Sequence, residues 1–142
     1  MQSSYPNPWQ TPNGILETED LQDDWIGFVY LITNEKNGRK YVGKKFLWRT
    51  LKLPPLKGTK RKRKVVKESD WKKYWGSSND LKADIEKNGH DNFTREILHF
   101  CTSKTELSYM ELKEQVDRGV LLTDMYYNDF IGGKINGKFL RS

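Results

Sequence analysis

The stretch GFVYLITNEKNGRKYVG, residues 27–43, decides the fold. Its first half is β-branched and aromatic, which predicts a strand over Ile26–Thr33. Asn37-Gly38 predicts a tight turn, and Lys40 to Gly43 predicts the returning strand of a hairpin. A loop of two residues at 37–38 and a loop of four at 35–38 both pair residues whose numbers sum to an odd value. Under either register Tyr30 and Tyr41 share one face of the hairpin, because the side-chain period of a strand is two.

Outside the hairpin, the sequence predicts two helices and a third strand. The predicted elements are a short helix over Ser78–Asn88, a strand over Phe93–Cys101, and a helix from a capping box at 103–106 to about Arg118. Together they predict an α/β (α+β) fold with a small, three-stranded, mostly antiparallel sheet flanked by helices.

Charge is distributed unevenly along the chain. Residues 1–24 contain five acidic side chains, no basic ones and three prolines, which predicts an extended acidic N-terminal arm ahead of a domain over 25–142. Residues 44–67 contain eleven Lys or Arg and no acid. Within this stretch, 52–67 is expected to be a loop because of Pro54-Pro55 and Gly58, and we describe 50–70 as a basic insertion.

Composition narrows the class of partner. The net charge of +6 and the sequence pI of about 9.3 favour nucleic acid. The longest apolar run, Trp25–Ile32, is too short to cross a bilayer, and we expect no membrane partner. The single cysteine, Cys101, excludes a disulfide within the chain and favours a cytoplasmic, intracellular setting, with Cys101 itself a packed side chain.

Five short segments resemble, in order, the motifs of the GIY-YIG nuclease family. The first is the hairpin, in which Gly27-Phe28-Val29-Tyr30 and Tyr41-Val42-Gly43 resemble the two motifs that name the family. The others are Trp71-x-x-Tyr74-x-Gly76-Ser77-Ser78, residues 88–98, Glu106-Leu107 followed by Glu111, and Tyr127-Asn128 with Gly132-Gly133. The resemblance covers roughly residues 26–133. It implies the GIY-YIG fold and a metal-dependent DNA endonuclease, a phosphodiester hydrolase similar to small phage-borne members.

The resemblance also implies roles for the two tyrosines and for a cation beside them. Tyr30 would act as general base or orient the attacking water, and Tyr41 would hydrogen-bond to the phosphate or to the water. A tyrosine pKa of about 10 means that base catalysis would need cations nearby. Arg49 would contact the phosphate through its planar fork, with Lys45, which has the strand parity of Tyr41, as a second candidate. The alternatives are plain strand packing for the tyrosines and a solvated Arg49.

The remaining two candidates concern the metal. Glu111 would hold one Mg²⁺ or Mn²⁺ ion, since a single carboxylate with waters and a phosphate oxygen suffices for such ions. Asn128 would orient a phosphate or support Glu111. The alternatives are an ordinary exposed helix glutamate and a turn residue.

Further basic side chains are predicted to follow the DNA backbone. They are Lys44, Lys57, Lys60, Arg61, Lys62, Arg63, Lys64, Lys67, Lys72 and Lys73. Only one nuclease module is visible, so a homodimer is a possible arrangement on DNA. The competing function is a non-catalytic nucleic-acid-binding module that has kept the fold.

Overall fold

The computed structural model describes residues 3–131. The elements, in chain order, are β1 (Trp9–Thr11), β2 (Gly14–Ile15), β3 (Gly27–Asn34), β4 (Lys40–Phe46), β5 (Trp48–Leu53), β6 (Arg63–Glu68), α1 (Asn79–Asn88), β7 (Phe93–Cys101) and α2 (Lys104–Asp117). Five strands form one sheet in the order β2-β1-β7-β3-β4, and β5 with β6 forms a separate two-stranded ribbon. Gly132-Gly133, quoted above as part of a motif, lies outside the described residues.

The β3–β4 hairpin has the predicted register. Tyr30 pairs with Gly43, and Ile32 pairs with Tyr41. The Asn34 amide donates to the Arg39 carbonyl at 2.8 Å, which leaves the four-residue loop 35–38. Tyr30 and Tyr41 therefore share a face, which we call the tyrosine face.

The central strand β3 is buried on both sides. Its even-numbered side chains, Phe28, Tyr30 and Ile32, pack on the tyrosine face together with Leu81 and Ile85 of α1. On the opposite face, Val29 and Leu31 pack with Leu107 of α2. The two helices thus cover opposite faces of the sheet, and a side chain of α2 can approach the tyrosines only around the edge of the sheet.

Both helices begin at the caps that the sequence predicts. The Ser78 hydroxyl accepts from the Leu81 amide at 3.2 Å at the start of α1. At the start of α2, the Ser103 hydroxyl accepts from the Glu106 amide at 3.0 Å, and the Glu106 carboxylate accepts from the Thr102 amide at 2.8 Å. These side chains satisfy amides that a helix start leaves without partners. No helix within residues 3–131 has the length and hydrophobicity needed to cross a membrane.

The N-terminal segment belongs to the sheet, which corrects the expectation of an extended arm and of only three strands. β1 pairs in parallel with β7, with Trp9 opposite Arg95, and β2 pairs with β1. Trp9 is fully buried, and the Tyr5 hydroxyl donates to the Leu16 carbonyl at 2.6 Å. Widely spaced apolar residues among prolines and acids show no periodicity, so this segment carries no local strand signal.

The basic insertion also differs from the predicted loop. Its flanks form β5 and β6, paired from Trp48 opposite Glu68 to Leu53 opposite Arg63. Pro54-Pro55 and Gly58 occupy only the loop 54–62 between them, so these residues end the ribbon rather than abolish it. Leu51 opposite Val65 gives the ribbon its β-favouring cross-strand contact.

Arg95 joins three parts of the chain. Its side chain is 2% exposed, and its guanidinium donates to the carbonyls of Asn7, Lys72 and Tyr74. The guanidinium also lies between the rings of Trp9 and Trp75, 4.5 Å from each centroid. Burial lowers the pKa of Arg95 to about 10, so the group stays charged at neutral pH. Carbonyl dipoles and aromatic faces, rather than a carboxylate, stabilise this charge in the described part of the chain.

We predict that Arg95→Lys lowers the free energy of unfolding by about 3 kcal/mol, because an ammonium cannot reach carbonyls on both sides of a planar fork. Denaturant unfolding followed by tryptophan fluorescence measures the loss. Arg63→Lys, at an exposed ribbon position, is the control and should change stability by less than about 0.5 kcal/mol. Equal effects of the two substitutions would contradict this account of Arg95.

Candidate active site

Three tyrosines meet on the tyrosine face. The rings of Tyr30 and Tyr41 have centroids 6.2 Å apart, and the ring of Tyr74 meets Tyr30 edge-on at 6.0 Å. Tyr74 follows the short 3-10 turn Trp71–Lys73, whose position Arg95 fixes through the Lys72 and Tyr74 carbonyls. The Tyr41 hydroxyl lies 3.0 Å from the Ser77 hydroxyl, three residues further along this segment. The cluster is therefore built from the hairpin and from the connection into α1.

Two glycines make room for the phenol groups. A Cβ on Gly43 would lie 2.6 Å from the ring carbon that bears the Tyr30 hydroxyl and would meet the hydroxyl itself. A Cβ on Gly76 would lie 3.1 Å from the same hydroxyl, and Gly76 also has a φ of +86°, which disfavours any other residue. The Tyr30 hydroxyl therefore packs directly against the backbone of Gly43 and of Gly76.

Tyr30 is neutral in this setting. Its side chain is 1% exposed, and burial raises its pKa well above the usual tyrosine value, with Tyr41, Tyr74 and Glu111 adding in the same direction. Burial raises the pKa of Tyr41 as well, although its bond with Ser77 opposes the shift. Because ionised phenol is disfavoured, the tyrosine face presents neutral hydroxyl groups at neutral pH.

The outer edge of β4 positions Glu111. Along this edge, Lys40 exchanges backbone hydrogen bonds with Met125 and Tyr127, and Val42 bonds to the side chain of Asn128. At the next outward position, the Lys44 backbone amide faces the Glu111 carboxylate and lowers its pKa. The carboxylate thus continues a row of partners along an edge that no further strand covers.

Glu111 reaches the tyrosines although α2 lies on the opposite face. The residue is 8% exposed, and its carboxylate lies 3.8 Å from the Lys44 ammonium. Burial raises the pKa of Glu111, while Lys44 lowers it in part. The carboxylate in turn contributes to the raised pKa values of Tyr30, Tyr41 and Tyr74. The acidic group and the phenols therefore share one electrostatic environment, at the edge beside Gly43.

Asn128 uses both ends of its amide on β4. Its oxygen accepts from the Val42 amide at 3.1 Å, and its nitrogen donates to the Val42 carbonyl at 2.8 Å. Gln115 of α2 donates to the same carbonyl at 3.2 Å. The Asn128 side chain therefore bonds to the edge of β4 as the backbone of a neighbouring strand would. This arrangement is expected of a residue that supports Glu111.

Lys45 and Arg49 lie on the other side of the cluster. The Lys45 ammonium bonds to Asp70 at 2.5 Å and lies 4.2 Å from the centre of the Tyr74 ring. Lys45 therefore points to the tyrosine face, as its strand parity predicts. The bond to Lys45 lowers the pKa of Asp70, and Arg49 adds to this effect from the exposed start of β5. Lys45 therefore lies beside the phenols, and Arg49 acts on Asp70 from the base of the ribbon.

The other predicted DNA contacts fall into three places. Lys44 lies at the β4 edge, where its ammonium donates to Ser108. Lys72 and Lys73 lie in the turn before Tyr74, with Lys72 partly over the Tyr5 ring. The remaining candidates lie in the loop 54–62 or on β6, away from the phenols, and are Lys57, Lys60, Arg61, Lys62, Arg63, Lys64 and Lys67. The structure thus separates a compact centre from a projecting basic ribbon.

Sequence reasoning missed three members of the centre. Tyr74 and Ser77 are part of a motif that the sequence analysis quotes, but that motif was assigned no chemistry. The signal was the spacing Tyr-x-Gly-Ser, since only the glycine at 76 allows the segment to approach Tyr30 and Tyr41. Asp70, the partner of Lys45, has no local signal, because the pairing depends on how the ribbon returns the chain to the sheet.

Two cavities bear on where a ligand binds. The larger, about 1020 Å³, lies beside β2 and the stacked rings of Trp25 and Phe100, away from the tyrosines. Acidic side chains line it, at Glu17, Glu19 and Asp20. A smaller cavity of about 270 Å³ opens beside Tyr41 and Asn128, and Asp80 and Asp129 also line it. We place the candidate site there and along the adjoining β4 edge, because this cavity adjoins Tyr41 and Asn128 whereas the larger one contains none of the candidate residues.

The donor set fits a metal held by one carboxylate. Residues 3–131 contain no group of three or more His, Cys, Asp or Glu side chains arranged to hold an ion. Glu111 is buried, and its carboxylate forms a loose ion pair with the Lys44 ammonium at 3.8 Å. Mg²⁺ keeps several waters and needs only one or two protein carboxylates when a phosphate completes its shell.

Comparison with known proteins identifies the family. The family model described as "Putative endonuclease segE, GIY-YIG domain" matches residues 9–131. The chain belongs to the GIY-YIG family. A relative from Enterobacteria phage T4, named "Putative endonuclease segD", is 32% identical over 108 residues, which is 76% of this chain. The aligned region is 39% of that relative, so the GIY-YIG chain spans about two fifths of its length. No solved structure matched.

We predict that Glu111→Gln changes how stability depends on pH in metal-free buffer. Burial raises the pKa of Glu111 in the folded state, so its contribution to stability falls as pH rises from the unfolded-state value toward the folded one. The glutamine variant lacks this loss and should gain stability relative to wild type between pH 4 and pH 7. Thermal unfolding across this range measures the difference.

Glu86→Gln, at an exposed position on α1, is the control and should follow the wild-type profile. A Glu111→Gln profile that runs parallel to wild type would show that burial does not shift this carboxyl group.

Proposed function

We propose that this protein is an endonuclease that hydrolyses phosphodiester bonds of DNA with the help of one divalent cation, Mg²⁺ or Mn²⁺. Family membership supports nuclease chemistry, and the basic charge supports an anionic substrate. The single observation that carries the proposal is that Glu111 lies beside Lys44 at the β4 edge, next to Gly43, against which the Tyr30 hydroxyl packs, although α2 and the phenols belong to opposite faces of the sheet.

In this proposal the phenols act as neutral groups. Tyr30 orients the attacking water through its hydroxyl rather than by removing a proton, because its raised pKa leaves almost no phenolate at neutral pH. Tyr41, with its hydroxyl bonded to Ser77 and partly exposed, donates to a phosphate oxygen. The buried phenol thus acts through geometry, holding a water in line with the phosphorus.

Cations on the ribbon side bind the scissile phosphate. Arg49 is exposed at the start of β5 and offers a planar pair of donors, and Lys45 adds a second charge next to the Tyr74 ring. These groups neutralise the charge that builds up on the phosphate oxygens as the bond to water forms. Asp70 holds Lys45 in place until the substrate arrives.

Glu111 would hold the divalent ion, and Asn128 would hold the strand edge that presents Glu111. When bound, such an ion supplies charge neutralisation at the phosphate and lowers the pKa of nearby water. Asn128 has both ends of its amide committed to Val42, which favours support over direct phosphate binding.

We expect the wild-type protein with Mg²⁺ to convert supercoiled plasmid into nicked or linear forms that DNA ligase can reseal. Glu111→Ala and Tyr30→Phe should each reduce the rate by about a hundredfold or more, since each removes a group that acts on the transition state. Tyr109→Phe is the matched control, because Tyr109 is 62% exposed on α2, two residues before Glu111, and should cut at the wild-type rate.

A wild-type rate equal to that of Glu111→Ala would leave the competing function, a non-catalytic DNA-binding module, as the correct one.

Metal binding at Glu111 can be tested without measuring DNA cleavage. Mn²⁺ added to ¹⁵N-labelled protein should broaden the amide signal of Lys44 first, because Lys44 lies beside the Glu111 carboxylate. Glu111→Gln should abolish the effect, while Glu114→Gln, which changes an acid one turn away, should preserve it. Broadening centred on Asp80 and Asp129, which line the cavity beside Tyr41, would place the ion elsewhere.

A further inference from the structure

The ribbon of β5 and β6 projects from the domain and is fastened at its base. The Ser69 amide donates to the Leu47 carbonyl at 2.8 Å, and the Trp48 indole donates to the Trp25 carbonyl at 2.9 Å. Glu68 accepts from the Trp71 indole at 2.7 Å and thereby ties the second strand to the core. These bonds set the direction in which the ribbon projects. Both faces of the ribbon beyond its base are left accessible to a partner.

The ribbon supplies the whole excess of positive charge. Residues 49–67 contain nine of the 25 Lys and Arg residues and none of the 19 acidic ones. Sixteen basic and 19 acidic residues remain elsewhere, so the rest of the chain is net negative. Long-range attraction to a polyanion must therefore come from the ribbon.

Like charges face each other across the two strands. Arg49 lies opposite Lys67 on one face, and Lys52 lies opposite Lys64 on the other. Directly opposed like charges destabilise an antiparallel pair, and residues 49–67 contain no acid to offset them. A flat anionic surface would offset the charge repulsion on one face of the ribbon only. A groove with phosphates along both walls would offset the repulsion on both faces.

We propose that the ribbon binds in the major groove of double-stranded DNA, beside the scissile phosphate. The major groove of B-DNA admits a two-stranded ribbon. The one aromatic residue of β5 and β6, Trp48, is held at the base by its bond to the Trp25 carbonyl. The projecting part, residues 49–68, contains no aromatic side chain and so lacks the stacking platforms by which proteins hold single strands. The deep, narrow major groove of duplex RNA does not admit such a ribbon.

The contact extends to one side of the cleavage site. Arg49 at the base interacts with Asp70 beside Lys45, so the ribbon begins at the catalytic centre. Its six-residue strands extend roughly 20 Å from there, which equals about six base pairs at 3.4 Å each. This inference rests on the proposed function for the location of the scissile phosphate, but groove binding is measurable without cleavage.

Lys52→Glu separates binding from folding. It replaces a like-charge pair by an opposite-charge pair with Lys64, so the variant should be at least as stable as wild type. It should nevertheless bind a 30-base-pair duplex about tenfold more weakly, with a salt dependence shallower by about one unit of slope. Lys36→Glu, the same charge change in the loop at the opposite end of the β3–β4 hairpin, should bind within twofold of wild type.

Fluorescence anisotropy with a duplex DNA, its single strand and a duplex RNA of the same sequence measures the preference, which should be at least tenfold for duplex DNA. Dimethyl sulfate, which methylates guanine N7 in the major groove, should be excluded over about six base pairs by wild type but not by Lys52→Glu.

Equal affinity for the single strand or duplex RNA, unaltered N7 reactivity, or wild-type binding by Lys52→Glu would each overturn the proposal. Glu111→Ala should bind duplex DNA like wild type without cutting it. If wild type protects the groove but does not cut, the proposed nuclease function fails and the ribbon assignment stands.

Discussion

The outer edge of β4 needs hydrogen-bond partners at Lys40, Val42 and Lys44, and the site is organised by how the chain supplies them. A backbone segment bonds at the first position, the Asn128 amide bonds at the second, and the Glu111 carboxylate faces the third. Unpaired edges are open to pairing with other chains, and proteins usually cover or blunt them. Here the cover brings Glu111 from one side of the sheet to the phenols on the other. The same contacts thus protect the edge and assemble the candidate site.

Burial at this edge sets the chemistry of the groups. Tyr30 is fully enclosed by aromatic rings and by the backbone at Gly43 and Gly76, and its proton is correspondingly hard to remove. Glu111 is less enclosed, and its ionised form is supported by the Lys44 amide and ammonium. A divalent cation would add to that support, whereas it would find no anion at Tyr30. The division between a metal-binding acid and a neutral positioning phenol follows from these two degrees of burial.

Much of the fold followed from local sequence. The odd-sum register of the hairpin, the caps at Ser78 and Ser103 and the strand ending at Cys101 all depend on neighbours within a few residues. The N-terminal strands did not, because β1 gains its stability from β7 and from burial of Trp9, which are remote in sequence. The β5–β6 ribbon could not be predicted for a different reason. Its prolines and lysines are typical of a loop, and its strands are recognisable only from their pairing with each other. Family motifs pointed to Glu111 and Tyr30, but Asp70 and the support from Gln115 required the assembled structure.

The guanidinium of Arg95 also fixes the order in which the molecule can be completed. It bonds to Asn7, which precedes it by 88 residues, and to the turn that carries Tyr74. During synthesis, the first strand therefore waits without its parallel partner until β7 has left the ribosome. Contacts between such distant residues form slowly, because a long loop must close first. A nascent chain that stops before Arg95 thus lacks the contact that holds the Tyr74 turn to the sheet, so the cluster of tyrosines cannot be completed until β7 has been synthesised.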